Sequence, residues 1–63
     1  MERIGNNIKA TRKRLGFTQE DMAGYGFERR WFQRIESGKY SVSLPTLDRL
    51  ARVLKVDILE FFR

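Results

Sequence analysis

An all-α fold, a compact five-helix bundle forming one domain over residues 1–63, is predicted by three observations. Apolar residues recur at helical spacing in every segment. No stretch alternates apolar and polar residues for long enough to make a strand. Capping residues and glycines cut the chain into pieces of helical length.

The first helix rests on Ile4, Ile8, Thr11 and Leu15, whose steps of four, three and four put them on one face. Arg3, Lys9, Arg12, Lys13 and Arg14 fill the other sides, and Gly16 is the stop signal. The second helix opens at Thr18, an N-cap with Asp21 placed to complete a capping box. Phe17 and Met22 form its hydrophobic staple, and Gly24-Tyr25-Gly26 marks a turn. The third helix is expected from Glu28 to Ser37, with Phe32 and Ile35 inward, Trp31 beside them and Gly38 as a left-handed terminator. Ser43 caps the fourth helix and Pro45 sits in its first turn, followed by the apolar stripe Leu47, Leu50, Ala51 and Leu54. A fifth, short helix is expected from Asp57, with Glu60 as capping-box partner and Val56 and Phe61 as staple.

Composition narrows the function classes. The chain has 63 residues and neither cysteine nor histidine. A chain of this size buries only about 60% of the surface it exposes when unfolded. Disulfides and Cys- or His-based zinc cannot staple it, which leaves tight packing, dimerisation or both. The commonest nucleophiles and bases are missing, so an enzyme is not expected, nor is a cofactor. Thirteen basic against eight acidic residues leave a net charge of +5, which favours a polyanionic partner. There is no membrane-length apolar run and no apolar secretory stretch after Met1, so a cytoplasmic location is expected. No pocket signature for a small-molecule ligand is visible.

The informative stretch runs from Thr18 to Gly38: a short helix, a glycine-bearing turn and a second helix, the sequence shape of a helix-turn-helix. At 100° per residue, Phe32 and Ile35 face inward, and Arg29, Arg30, Gln33 and Arg34 line the outer side. Arginine presents a fork of donors to guanine O6 and N7, and glutamine can pair with adenine. Three arginines on an arbitrary helix would read as a solvated face. On the outer side of a helix following such a turn, base reading in double-stranded DNA is the better account.

The residues Leu15 to Ala23, then Arg34-Ile35-Glu36-Ser37-Gly38-Lys39, Ser43-Leu44, Thr46-Leu47, Leu50-Ala51, Leu54, Val56 and Phe61-Phe62 together resemble the Cro/cI-type helix-turn-helix proteins, the XRE family of bacterial and phage regulators. The resemblance covers nearly the whole chain. It implies a lambda-repressor-like DNA-binding domain that binds an inverted-repeat operator as a homodimer, with its third helix in the major groove. It implies that Gln19 contacts a phosphate and braces the recognition helix, and that Arg29, Arg30, Gln33 and Arg34 read bases. Lys39, Tyr40 and Ser41 would touch the DNA backbone, and Arg12 would pair with Glu36 in a structural ion pair.

This sequence departs from the family pattern in two places. The stretch from Met22-Ala23 to Phe27 is one residue short, so Tyr25 is expected to stand in for a buried aliphatic residue. Glu28 occupies a usual Ser or Thr N-cap position, where a carboxylate suits the helix dipole or could accept from a cytosine amino group. Two places are open to Trp31: against the second helix or the turn, or against sugar-phosphate or a thymine methyl.

The fifth helix carries more apolar side chains than one core can cover. Ile58, Leu59 and Phe62 are therefore expected to form a two-fold interface. The function expected is a transcription regulator, a repressor or autoregulator, with a restriction–modification controller or a phage regulator best fitting its small size. The rival is a protein-interaction module that kept the fold and lost DNA; it would lack the basic outer face on the third helix.

Overall fold

The computed structural model describes residues 1–63, and all its regular elements are helical. The order is α1 (Glu2–Arg14), α2 (Gln19–Gly24), α3 (Arg29–Glu36), α4 (Leu44–Leu54) and a closing 3₁₀ helix (Ile58–Phe62). The expected all-α bundle is therefore observed, with its fifth element wound more tightly than an α-helix. Asp57 caps that element by accepting from the Leu59 N–H at 3.0 Å, and its carbonyl accepts the Glu60 N–H three residues on at 2.9 Å. This i→i+3 closure is the 3₁₀ pattern. The Glu60 carboxylate, expected in a capping box, lies instead on Arg63 at 3.0 Å. Asn7 Nδ2 reaches across from α1 to the Phe61 carbonyl at 3.1 Å, satisfying an acceptor the short helix leaves open.

The other helix starts are built by side chains. Thr18 and Asp21 complete a capping box, with bonds of 3.0 Å and 2.8 Å. Glu28 caps α3, its carboxylate accepting from Arg30 N at 3.1 Å and Trp31 N at 2.7 Å. Ser43 accepts from Thr46 N at α4. These bonds satisfy N–H groups that the first turn of a helix cannot pair internally.

Every element contributes to a single core. Ile8 comes from α1, Met22 from α2, Phe32 and Ile35 from α3, and Leu47, Leu50, Ala51 and Leu54 from α4. Phe61 of the 3₁₀ helix and Phe27 of the turn complete it. Burying each large side chain is worth about 1.5–3 kcal/mol. α1 packs against α3 and the 3₁₀ helix, α2 against α3, and α4 against the 3₁₀ helix. The α1–α3 crossing is close enough that a Cβ on Gly5 would stand 2.4 Å from the Ile35 carbonyl oxygen. Just beyond α3, Gly38 has φ +79, and a Cβ there would stand 2.6 Å from Glu2 Cα. Both the left-handed turn and the contact with α1 therefore require glycine. No helix is long and apolar enough to cross a membrane.

Two expected core positions fall outside it. Leu15 is 39% exposed because α1 ends at Arg14 and the chain turns away before Leu15 can follow the buried face. Tyr25 is 51% exposed and is not a substitute for a buried aliphatic. The short turn swings Phe27 into the core instead, 2% exposed, and leaves Tyr25 outside, edge-on to Phe17 with ring centroids 6.2 Å apart. Arg49 of α4 locks this arrangement. Its Nη2 donates to the Tyr25 carbonyl at 2.9 Å, and its guanidinium lies 4.7 Å from the Phe27 ring centroid. Trp31 stacks on the same Phe27 ring, planes 3° apart and centroids at 6.2 Å, so it lies against the turn.

Candidate nucleic-acid interface

α3 shows two unlike sides. Phe32, Ile35 and Glu36 are buried, whereas Arg29, Arg30, Gln33 and Arg34 are all exposed. The buried side is tied down by charge as well as by packing. Arg12 meets Glu36 through two bonds, Nε to Oε2 at 2.6 Å and Nη2 to Oε1 at 3.2 Å. Its Nη1 donates to the Phe17 carbonyl at 2.7 Å. Their side chains are only 7% and 3% exposed, so the pair lies in a medium where each charge depends on the other.

From this pair a chain of bonds runs outward. Gln19 Nε2 donates to Glu36 Oε1 at 3.0 Å, and Gln19 Oε1 accepts from Gln33 Nε2 at 3.1 Å. The start of α2 and the outer side of α3 are therefore latched to one buried carboxylate. Gln33 keeps its carbonyl oxygen and one amide hydrogen unspent, the donor and acceptor set that matches adenine N6 and N7. Gln19 likewise keeps one amide hydrogen without a protein partner.

The three arginines of this face have different surroundings. Arg29 lies 3.8 Å from the Glu20 carboxylate, with both side chains largely in solvent, so the attraction is weak. Arg30 has no side-chain partner, and with Gln33 and Arg34 it edges a shallow groove that continues to Ser37, Lys39 and Tyr40. Arg34 leans on Tyr40: its Nη1 donates to the phenolic oxygen, and its Cζ lies 5.1 Å from the ring centroid. Glu28 adds a negative charge at the helix start. The N–H groups of Trp31 and then Arg30 hold its carboxyl below the ordinary carboxylate range, with Arg30 and Arg34 adding to the effect. The carboxylate is turned to its own helix as a cap.

The sequence matches the helix-turn-helix domain family over residues 3–61. The chain is a member of that family. A search of curated proteins finds no match. Within the matched residues, α2, the segment from Tyr25 to Glu28 and α3 follow one another as helix, turn and helix. Membership supports DNA binding, and an exposed, arginine-bearing second helix suits that activity.

The remaining sequence-derived positions fall in two regions. Lys39 and Ser41 are exposed in the loop after α3, next to Tyr40. At the far end of the helix-turn-helix domain, Leu59 is 66% and Phe62 44% exposed, while Ile58 is half-buried against its own core. The apolar exposure there belongs to Leu59 and Phe62, and Ile58 is largely committed within the subunit. Three contributors were not singled out from sequence: Gly5 at the α1–α3 crossing, Arg49 at the turn, and Lys13, which shares a shallow groove with Gln19 and Arg29. Helical spacing offered a signal only for Lys13, which follows Arg12 on the flank of α1.

Proposed function

We propose that this protein is a sequence-specific double-stranded DNA-binding transcription regulator of the Cro/cI type, acting from the cytoplasm as a homodimer on an inverted repeat. α3 enters the major groove, where Arg30, Gln33 and Arg34 read base edges and Arg29 assists at the margin. Lys39, Ser41 and the free amide hydrogen of Gln19 meet the phosphate backbone. Leu59 and Phe62 supply the two-fold contact, which would set two α3 helices about 34 Å apart, one turn of DNA. The narrower reading is a restriction–modification controller or a phage-type regulator.

One observation carries the proposal: four exposed polar residues on α3 stand opposite a side held by packing and by the buried Arg12–Glu36 pair. Such a rigid mount keeps recognition side chains in place without an ordering cost at the moment of binding.

The test is selection of bound sequences from a random duplex pool, followed by affinity measurements against salt. A symmetric site and a log–log salt slope of several units are expected, from counterions released at several phosphates. Arg30→Ala should cost about 1–3 kcal/mol and relax base preference, whereas Lys39→Ala should weaken every sequence alike and lower the salt slope by about 1. A flat salt response with no enriched site would overturn the proposal and favour a protein partner.

A further inference from the structure

We infer that Tyr40 is a specificity-determining positioning residue, which presets the Arg34 guanidinium for a guanine and makes no phosphate contact of its own. The inference rests on the DNA-reading role proposed for α3. It gives Tyr40 a different part from the backbone contact that the family resemblance implies for it.

The geometry is specific to this arginine. Arg34 Nη1 donates to the Tyr40 hydroxyl, and the guanidinium carbon lies 5.1 Å from the ring centroid. That is inside the ~6 Å range where a cation is drawn to an aromatic ring. A single side chain thus restrains both the reach and the tilt of Arg34. Arg29 has only a weak, solvent-exposed contact, 3.8 Å from the oppositely charged Glu20 carboxylate. Arg30 has no side-chain partner at all. Arg34 is therefore the one arginine of this face whose hydrogen-bond partner is a neutral group, with the Glu28 carboxylate acting on it only at longer range.

Chemistry makes this hold useful. One N–H goes to the phenol, and the others stay free for the O6 and N7 acceptors of guanine. Free arginine side chains lose considerable rotamer entropy when they dock, and an arginine already placed loses less. An unrestrained guanidinium would also sample nearby phosphates, which carry no sequence information. The tyrosine is well placed for the task. It is 40% exposed, sits just past the Gly38 turn and lines the same groove as Arg30, Gln33 and Lys39.

The experiment is a double-mutant cycle in the full-length chain, using Tyr40→Phe, Arg34→Ala and the pair. Binding is measured on the selected duplex and on an unrelated duplex of equal length. Tyr40→Phe keeps the ring and removes only the hydroxyl, and its exposed loop position leaves the core untouched; an unchanged thermal melt verifies this. Expected is a loss of about three- to tenfold on the selected duplex, the scale of one net hydrogen bond. Binding to the unrelated duplex should not change, and once Arg34 is alanine the second substitution should have no further effect. Equal losses on both duplexes, or a loss that persists in the Arg34→Ala background, would mean that the hydroxyl meets a phosphate, overturning the inference while leaving the DNA-reading role intact. Failure of the wild-type chain to distinguish any duplex would overturn both.

Discussion

Replacing Arg12 by alanine should nearly unfold the protein. Glu36 is 4% exposed, and its carboxylate accepts from Arg12 twice and from Gln19 once. Without Arg12, the carboxylate stays buried with one neutral donor, and the Phe17 carbonyl loses its partner as well. Breaking a buried pair on one side costs about 3–5 kcal/mol. A domain of 63 residues has only about 3–9 kcal/mol in total, at roughly 0.05–0.15 kcal/mol per residue. In a domain this small, each kcal/mol moves the melting midpoint by about 4–8 °C, so a fall of roughly 12–40 °C is expected by circular dichroism. The double variant Arg12→Met, Glu36→Leu removes both charges and should melt much closer to wild type, since apolar replacements of similar volume are often neutral or better. It should nonetheless bind the selected duplex less tightly, because Gln19 and Gln33 lose the carboxylate that latches them. A fall of less than about 4 °C for Arg12→Ala would refute the reasoning, because it would put the worth of the buried pair below ~1 kcal/mol.

Three more outcomes follow from other parts of the molecule. Gly5→Ala should destabilise the protein by about 1–3 kcal/mol in urea unfolding, despite alanine's better helix propensity, because its Cβ would meet the Ile35 carbonyl; a stabilised variant would refute so close a crossing. Glu28→Gln should flatten the acid limb of stability. The folded carboxyl of Glu28 is held below its unfolded value, so its contribution is present above about pH 4.3 and disappears as pH falls through the lower folded value; melts from pH 7 to pH 3 should therefore show wild type and variant converging in acid. Leu59→Glu should shift sedimentation towards a monomer and abolish cooperative binding to a full inverted repeat while sparing a half-site, and an unaltered dimer would remove Leu59 from the interface.

Much of the fold was legible because the chain punctuates itself locally. Thr18 with Asp21, Glu28 and Ser43 act within three residues of their own helix starts, so their roles need no knowledge of the rest of the chain. The inward stripe of α4 is likewise a matter of spacing alone. Local rules failed where an element is short or its end unmarked. The last helix has too few residues for periodicity to separate 3₁₀ from α, and α4 ends at Lys55 with φ +59, in a left-handed turn that no glycine announces. Leu15 obeys the period of α1 but lies past its end, where the period no longer applies.

What the sequence by itself determined is the helical class, the caps, and a basic outer side on α3 opposite Phe32 and Ile35, because each depends on residues a few positions apart. Only the tertiary structure decided the rest. Tyr25 or Phe27 could have entered the core, and the folded turn places Phe27 there, with Arg49, 24 residues from Tyr25, bonded to the Tyr25 carbonyl. Arg29 and Arg34 look alike in the sequence, yet one faces a carboxylate and the other a phenol. Partners distant along the chain meet only after packing, so the environment of a side chain, unlike its period, belongs to the folded molecule.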